Sequence, residues 1–167
     1  FLWASMPQYL WQLDVQNVTV SYSQIAQDRI AKIDLERKVE GEKSSEPDLI
    51  AYKPLSIVLA DIAKDRLEQR DGESQRLVDI KIEIDNLKLV NPVAAVLIGD
   101  ADQLSGSVKA VDPTTGETVT ECYVDVIKGT GGLLGLAIRG AGAREKISAQ
   151  FSDYIGDHLG YKKSDAR

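Results

Sequence analysis

Residues 78–89 read VDIKIEIDNLKL, and this stretch decides the fold. Val78, Ile80, Ile82 and Ile84 alternate with Asp79, Lys81, Glu83 and Asp85, the period of a β-strand with one buried and one wet face. At Asp85 and Asn86 the alternation slips, then resumes with Leu87 and Leu89, which predicts a bulge that bends the strand. Asn91 and Pro92 end it. A sheet with one polar face buries the other against a second layer, so the flanking sequence must supply that layer.

Downstream, Val93 to Ile98 is wholly apolar, Gly99, Asp100 and Asp102 suggest a bend, and Leu104, Gly106, Val108 and Ala110 alternate again. A long or kinked strand is expected. VDPTTG at 111–116 places Asp, Pro and Gly where a hairpin turn uses them, and Val119, Tyr123, Val124 and Val126 form the return strand. After a glycine-rich run, Ile147, Phe151, Ile155 and Leu159 recur at steps of four, with Ala143 and Tyr154 nearby, which predicts a final amphipathic helix.

Upstream, Leu55, Val58, Leu59, Ile62, Ala63, Arg66 and Leu67 make one helical stripe with Pro54 in its first turn, and RDGES at 70–74 stops it. GEKSSEP at 41–47 reads as a surface loop. Residues 23–40 are ambiguous: Ile25, Ala26, Arg29, Ile30 and Ile33 have helical spacing, while Ile33, Leu35 and Val39 also alternate. Leu13 to Tyr22 reads as a strand interrupted by a bulge at Gln16 and Asn17. The expected fold class is α+β, a two-layer sandwich with an antiparallel sheet of about four strands and helices on one face. A single domain over 13–161 is flanked by an apolar segment at 1–12 and a polar tail at 162–167.

At 167 residues, 43% hydrophobic and 28% charged, the chain can bury a core without disulfides or metal. Its net charge of −6, with acids and bases interleaved, offers no stripe to neutralise a phosphate backbone, so nucleic acid is not an expected partner. Lys162, Lys163 and Arg167 read as a solvated tail. The single cysteine, Cys122, cannot form a disulfide within the chain and reads as a small buried hydrophobe on a strand. The opening on Phe1 rather than Met is expected of a chain numbered from a cleavage or boundary. Phe1 to Leu13, with Trp3, Tyr9 and Trp11, is too short to span a bilayer as a helix, which takes about 20 residues. It either packs on the domain or becomes its first strand, or it lies at a membrane or partner surface.

The glycine run GTGGLLGLAIRGAG at 129–142 sits between a strand and a helix but lacks phosphate-binding side chains. Gly129, Gly131 and Gly135 do not give G-x-G-x-x-G, and no lysine with a following hydroxyl residue succeeds Gly135 or Gly142. The run can bend while offering Leu133, Leu134, Leu136 and Ile138, either buried or as a docking surface. His158 sits where a cation favours the last carbonyls of a helix, and no G-x-S-x-G elbow accompanies it. Cys122 with His158 as a nucleophilic pair is disfavoured by the cysteine's place within a strand. One His and one Cys cannot make a zinc site, and Asp100, Asp102 and Asp112 read as residues of solvated turns. Asp79, Glu83 and Asp85 belong to the wet face of their strand. The expectation is therefore no catalytic, cofactor or metal residue.

Leu104 to Leu159 resembles a group of bacterial envelope lipoproteins and related secretion-accessory proteins. The strand LSGSVKAVDPTTGETV, its turn from Asp112 to Gly116, the GGLLGLA loop from Gly131 to Ala137 and the terminal helix carry the likeness. The resemblance implies a signal sequence and a lipidated cysteine upstream of Phe1, with the domain periplasmic or anchored to the outer membrane; a cytoplasmic location is the alternative. It supplies no enzymatic residues. The leading expectation is a non-catalytic envelope domain that binds a protein partner or itself, through Leu133, Leu134, Leu136 and the aromatic N-terminus with Trp3 and Trp11. A small-ligand module with Tyr123 or Arg139 as polar contacts in an apolar pocket comes second, and an enzyme third.

Overall fold

The computed structural model describes residues 13–43, 53–68, 76–89, 101–129 and 143–159. In chain order these form β1 (Leu13–Tyr22), α1 (Gln24–Lys43), α2 (Leu55–Glu68), β2 (Arg76–Lys88), β3 (Ala101–Val111), β4 (Thr118–Gly129) and α3 (Ala143–His158). The strands make one open sheet in the order β1-β2-β3-β4. An α+β sandwich with helices packed on one sheet face is what the alternation of 78–89 requires.

The sheet is mixed: β2 and β3, and β3 and β4, pair antiparallel, whereas β1 runs parallel to β2. This refines the antiparallel expectation, and the reason is connectivity. Two helices stand between β1 and β2, enough chain to cross over the sheet and re-enter in the same direction. The ambiguous segment resolves as α1, which continues through Gly41 to Lys43 into the expected loop. Strong helix formers around Gly41 outweigh its cost of about 1 kcal/mol.

Both bulges fall where the alternation slips. The register of β1 on β2 shifts between Val15 and Asn17, and that of β2 on β3 between Ile84 and Asn86. Gly106 pairs with Ile84 at the second bulge, and a Cβ there would collide with the Glu83 carbonyl, so only glycine permits this approach of the strands. A further shift, between Ala110 and Val111, precedes the hairpin turn. In that turn the Asp112 carboxylate accepts from the Thr114 and Thr115 amides at 2.8 and 3.2 Å, and Gly116 takes φ +74°. Those amides hold the Asp112 carboxyl below the usual carboxylate range, with Arg76 at 3.2 Å assisting.

The core forms between the sheet and the helices. Val78, Ile80, Ile82, Ile84, Leu104, Val108, Val124 and Val126 meet Ala26 and Ile30 of α1, Leu55, Leu59, Ala63 and Leu67 of α2, and Ile147, Phe151 and Ile155 of α3. The expected α3 stripe is buried, but Tyr154 is exposed, while Arg144, Ser148 and Ser152 are buried. Arg144 and Ser152 are admitted because they bond inward, whereas the buried Ser148 hydroxyl has no partner among the described residues. Ser152 donates to the Ser148 carbonyl at 2.8 Å. The Arg144 guanidinium donates to Asp34 at 3.0 Å and to the Lys53 carbonyl at 2.8 Å. Asp34, on α1, also accepts from the Leu55 amide at 3.3 Å, and the Tyr22 hydroxyl accepts from the Ser56 amide at 2.8 Å. The open N-terminal amides of α2 are thus capped from α1 and β1, and one carboxylate ties all three helices together.

Candidate functional site

The sheet's outer face is the feature with the most organised chemistry. Alternation sends Asn17, Thr19 and Ser21 of β1, Lys81 and Glu83 of β2, Ser107 and Lys109 of β3, and Glu121, Tyr123, Asp125 and Ile127 of β4 to the side opposite the core. Tyr123 is 59% exposed and Ile127 63% exposed on this side.

Beside them runs a chain of side-chain hydrogen bonds from α1 to the far edge. Arg29 donates to Asn86 Oδ1 at 3.2 Å, Asn86 donates to Gln103 Oε1 at 3.1 Å, and Gln103 donates to Asp125 Oδ1 at 3.1 Å. Ser105 donates to the same Asp125 oxygen at 2.5 Å. The second bulge makes this possible, because it turns Asn86 into register with Ser105. These donors, Ser105 foremost, hold the Asp125 carboxyl below its ordinary range. The Tyr123 phenol is pushed up, first by partial desolvation and then by the negative charge of Asp85. Asn86, Gln103, Ser105 and Asp125 are therefore pinned to one another.

The residues singled out from sequence fall differently. Trp3, Trp11, Leu133, Leu134 and Leu136, the expected interaction residues, lie outside the described residues, as do Arg139, Asp100 and the apolar run 93–98. Tyr123 stands exposed on the outer face, which no second layer covers among the described residues, away from the core where an apolar pocket was expected. Asp102 is a correction: it lies within β3 and is buried, not in a solvated turn, because β3 starts at Ala101. Cys122 faces the core half-buried, and desolvation pushes its thiol up, away from nucleophile character. His158 is exposed in the last turn of α3, with Nε2 at 3.3 Å from Thr120 Oγ1. Among the described residues no group of three or more His, Cys, Asp or Glu could hold a metal ion, and no helix is long and apolar enough to cross a membrane.

The polar chain on the outer face escaped the sequence reading. Asn86, Gln103, Ser105 and Asp125 are ordinary wet-face residues in the one-dimensional pattern. The one signal for them was the slip at Asp85 and Asn86, which marks where the face is re-aimed.

No protein-family model and no curated protein matches the chain. Among solved structures, a candidate lipoprotein from Caulobacter crescentus CB15 superposes with a TM-score of 0.43 at 11% identity, covering 93% of this chain and 92% of its own. A PelC variant dodecamer from Paraburkholderia phytofirmans gives 0.44 at 7% identity, with 90% and 88% covered. A Xanthomonas campestris protein of the DUF330 family gives 0.46 at 14% identity, with 89% and 84% covered. At these scores and identities the likenesses do not establish a common role.

Proposed function

We propose that this chain is a non-catalytic protein-binding domain of the bacterial cell envelope, and that the bare sheet face is its binding surface. The observation that carries the reading is the pinned chain from Arg29 through Asn86 and Gln103 to Asp125, set beside exposed Tyr123 and Ile127. Interfaces draw their energy from a few aromatic or large apolar anchors ringed by polar groups. Side chains already fixed by mutual hydrogen bonds lose less rotamer freedom when a partner arrives, so the ordering cost of association falls. The envelope placement, with anchoring through a segment upstream of Phe1, rests on the resemblance of 104–159. Leu133, Leu134, Leu136, Trp3 and Trp11 belong to the same proposal as a second contact surface, which Leu134→Asp and removal of residues 1–11 test by sedimentation velocity.

The primary test places a photo-crosslinking amino acid at Glu83 or Ser107, in the middle of the bare face, and at Lys64 or Lys146 on the helix layer, in cells that produce the protein. The expected result is discrete protein adducts from the sheet positions and few from the helix positions. Equal labelling from both layers, or none from the sheet, refutes the assignment.

A further inference from the structure

The sheet order leaves β4 with a hydrogen-bonded neighbour, β3, on one side and, among the described residues, no strand on the other. A free strand edge presents unpaired backbone N–H and C=O groups, and natural sheets blunt such edges with bulges, proline or inward charges. The opposite edge, β1, carries a bulge at Gln16. β4 pairs residue for residue from Thr120 to Gly129 without a break, and contains no proline.

Along its outer side β4 shows, at every second position, Glu121, Tyr123, Asp125 and Ile127, all exposed. Acid and apolar side chains therefore alternate along a strand that can accept a neighbour. Lys109 of β3 lies opposite Glu121, while the β3 neighbour of Asp125 is Ser105, so Asp125 is the less compensated of the two. The bonds from Ser105 and Gln103 aim the Asp125 carboxylate and keep it ionised.

We infer that the free edge of β4 is a strand-addition site for an extended segment of a partner protein in which basic and apolar side chains alternate at every second residue. This rests on the reading of the sheet face as a binding surface and names the chemistry of what it binds. An antiparallel newcomer sets an apolar residue opposite Ile127, a base opposite Asp125, an apolar residue opposite Tyr123 and a base opposite Glu121. Main-chain bonds supply affinity and the alternate side chains supply selection. A second copy of this chain fits worse. Pairing two β4 strands about Tyr123 sets Glu121 against Asp125 twice, and like charges directly opposite destabilise a pair. The β1 edge of another copy brings Asn17, Thr19 and Ser21 on this side, none of them a cation.

The test titrates the isotope-labelled full chain with the peptide Val-Thr-Lys-Thr-Val-Thr-Lys and with its counterpart carrying Glu for Lys, following backbone amides by NMR. Saturable shifts concentrated on 118–127, with the Lys peptide about tenfold tighter than the Glu peptide, are expected. The double change Glu121→Lys and Asp125→Lys should reverse that order, with retained amide dispersion of the core strands as the check that the variant is folded. Equal affinity for the two peptides, shifts on β1 instead of β4, or no saturable shift on β4 overturns the inference. So does a dimer in sedimentation velocity that the double change dissolves, which would make the occupant a second copy. If the peptides fail while photo-adducts persist at Glu83 and Ser107, the edge assignment alone falls; if those adducts are absent, the reading of the face falls with it.

Discussion

The two faces of the sheet are built from the same strands and differ in what holds their side chains. On the inner face Val78, Ile80, Ile82 and Ile84 are removed from water by three helices, and position follows from packing. On the outer face Asn86, Gln103, Ser105 and Asp125 are held by directed hydrogen bonds, with no second layer over them among the described residues. The lesson is that order and stability separate here. Inner residues set how firmly the domain folds, whereas outer residues are ordered at little energetic consequence and so can change for recognition.

That contrast can be broken by substitution. Phe151→Ala, at the centre of the helix-sheet layer, should destabilise by about 3–5 kcal/mol in urea unfolding. Asp34→Ala should cost a comparable amount, about 3–5 kcal/mol, because it leaves the Arg144 charge buried and uncaps the start of α2. If Asp34→Ala instead unfolds with a wild-type midpoint, the carboxylate does not tie the helices. Gly106→Ala joins the two faces, since its methyl must push β3 away from the Glu83 carbonyl. A loss of about 1–3 kcal/mol and weaker protection of the β2–β3 amides in hydrogen exchange are expected.

The outer face should respond far less. Tyr123→Ala ought to move stability by no more than about 0.5 kcal/mol, so any larger loss of partner binding reports recognition rather than folding. The smallest effect sharpens the comparison by pH. Because the folded Asp125 carboxyl titrates below its ordinary range, its contribution is present above the unfolded pKa and lost as pH falls through the folded one. Exposure keeps that contribution small. Carbon-detected titration should show the Asp125 midpoint rising toward the ordinary carboxylate range in Ser105→Ala, and an unchanged midpoint would show that Ser105 does not hold it.

Most of the element plan was legible in residue order. Alternation at 78–84, the slip at Asp85 and Asn86, the 111–116 turn and the α2 stripe each depend on neighbours within a few positions, and each appears where the pattern puts it. The candidate face was legible only as a row of polar positions. Which of them touch depends on register between strands and on Arg29 arriving from a helix 57 positions earlier in the chain than Asn86. Local pattern could not resolve 23–40 either. Both periods fit its apolar residues, and burial of Ala26 and Ile30 against the sheet chose the helix.

What the sequence by itself determined is the period of each element, the sites of both early bulges and the one-sided burial of the sheet, because these follow from covalent geometry and side-chain polarity. Tertiary structure alone decided that β1 joins parallel to β2, that Asp34 caps a helix it does not belong to, and that β4 ends the sheet among the described residues. Those outcomes depend on which distant surfaces exclude water together, a property of the packed chain that no window of neighbouring residues contains.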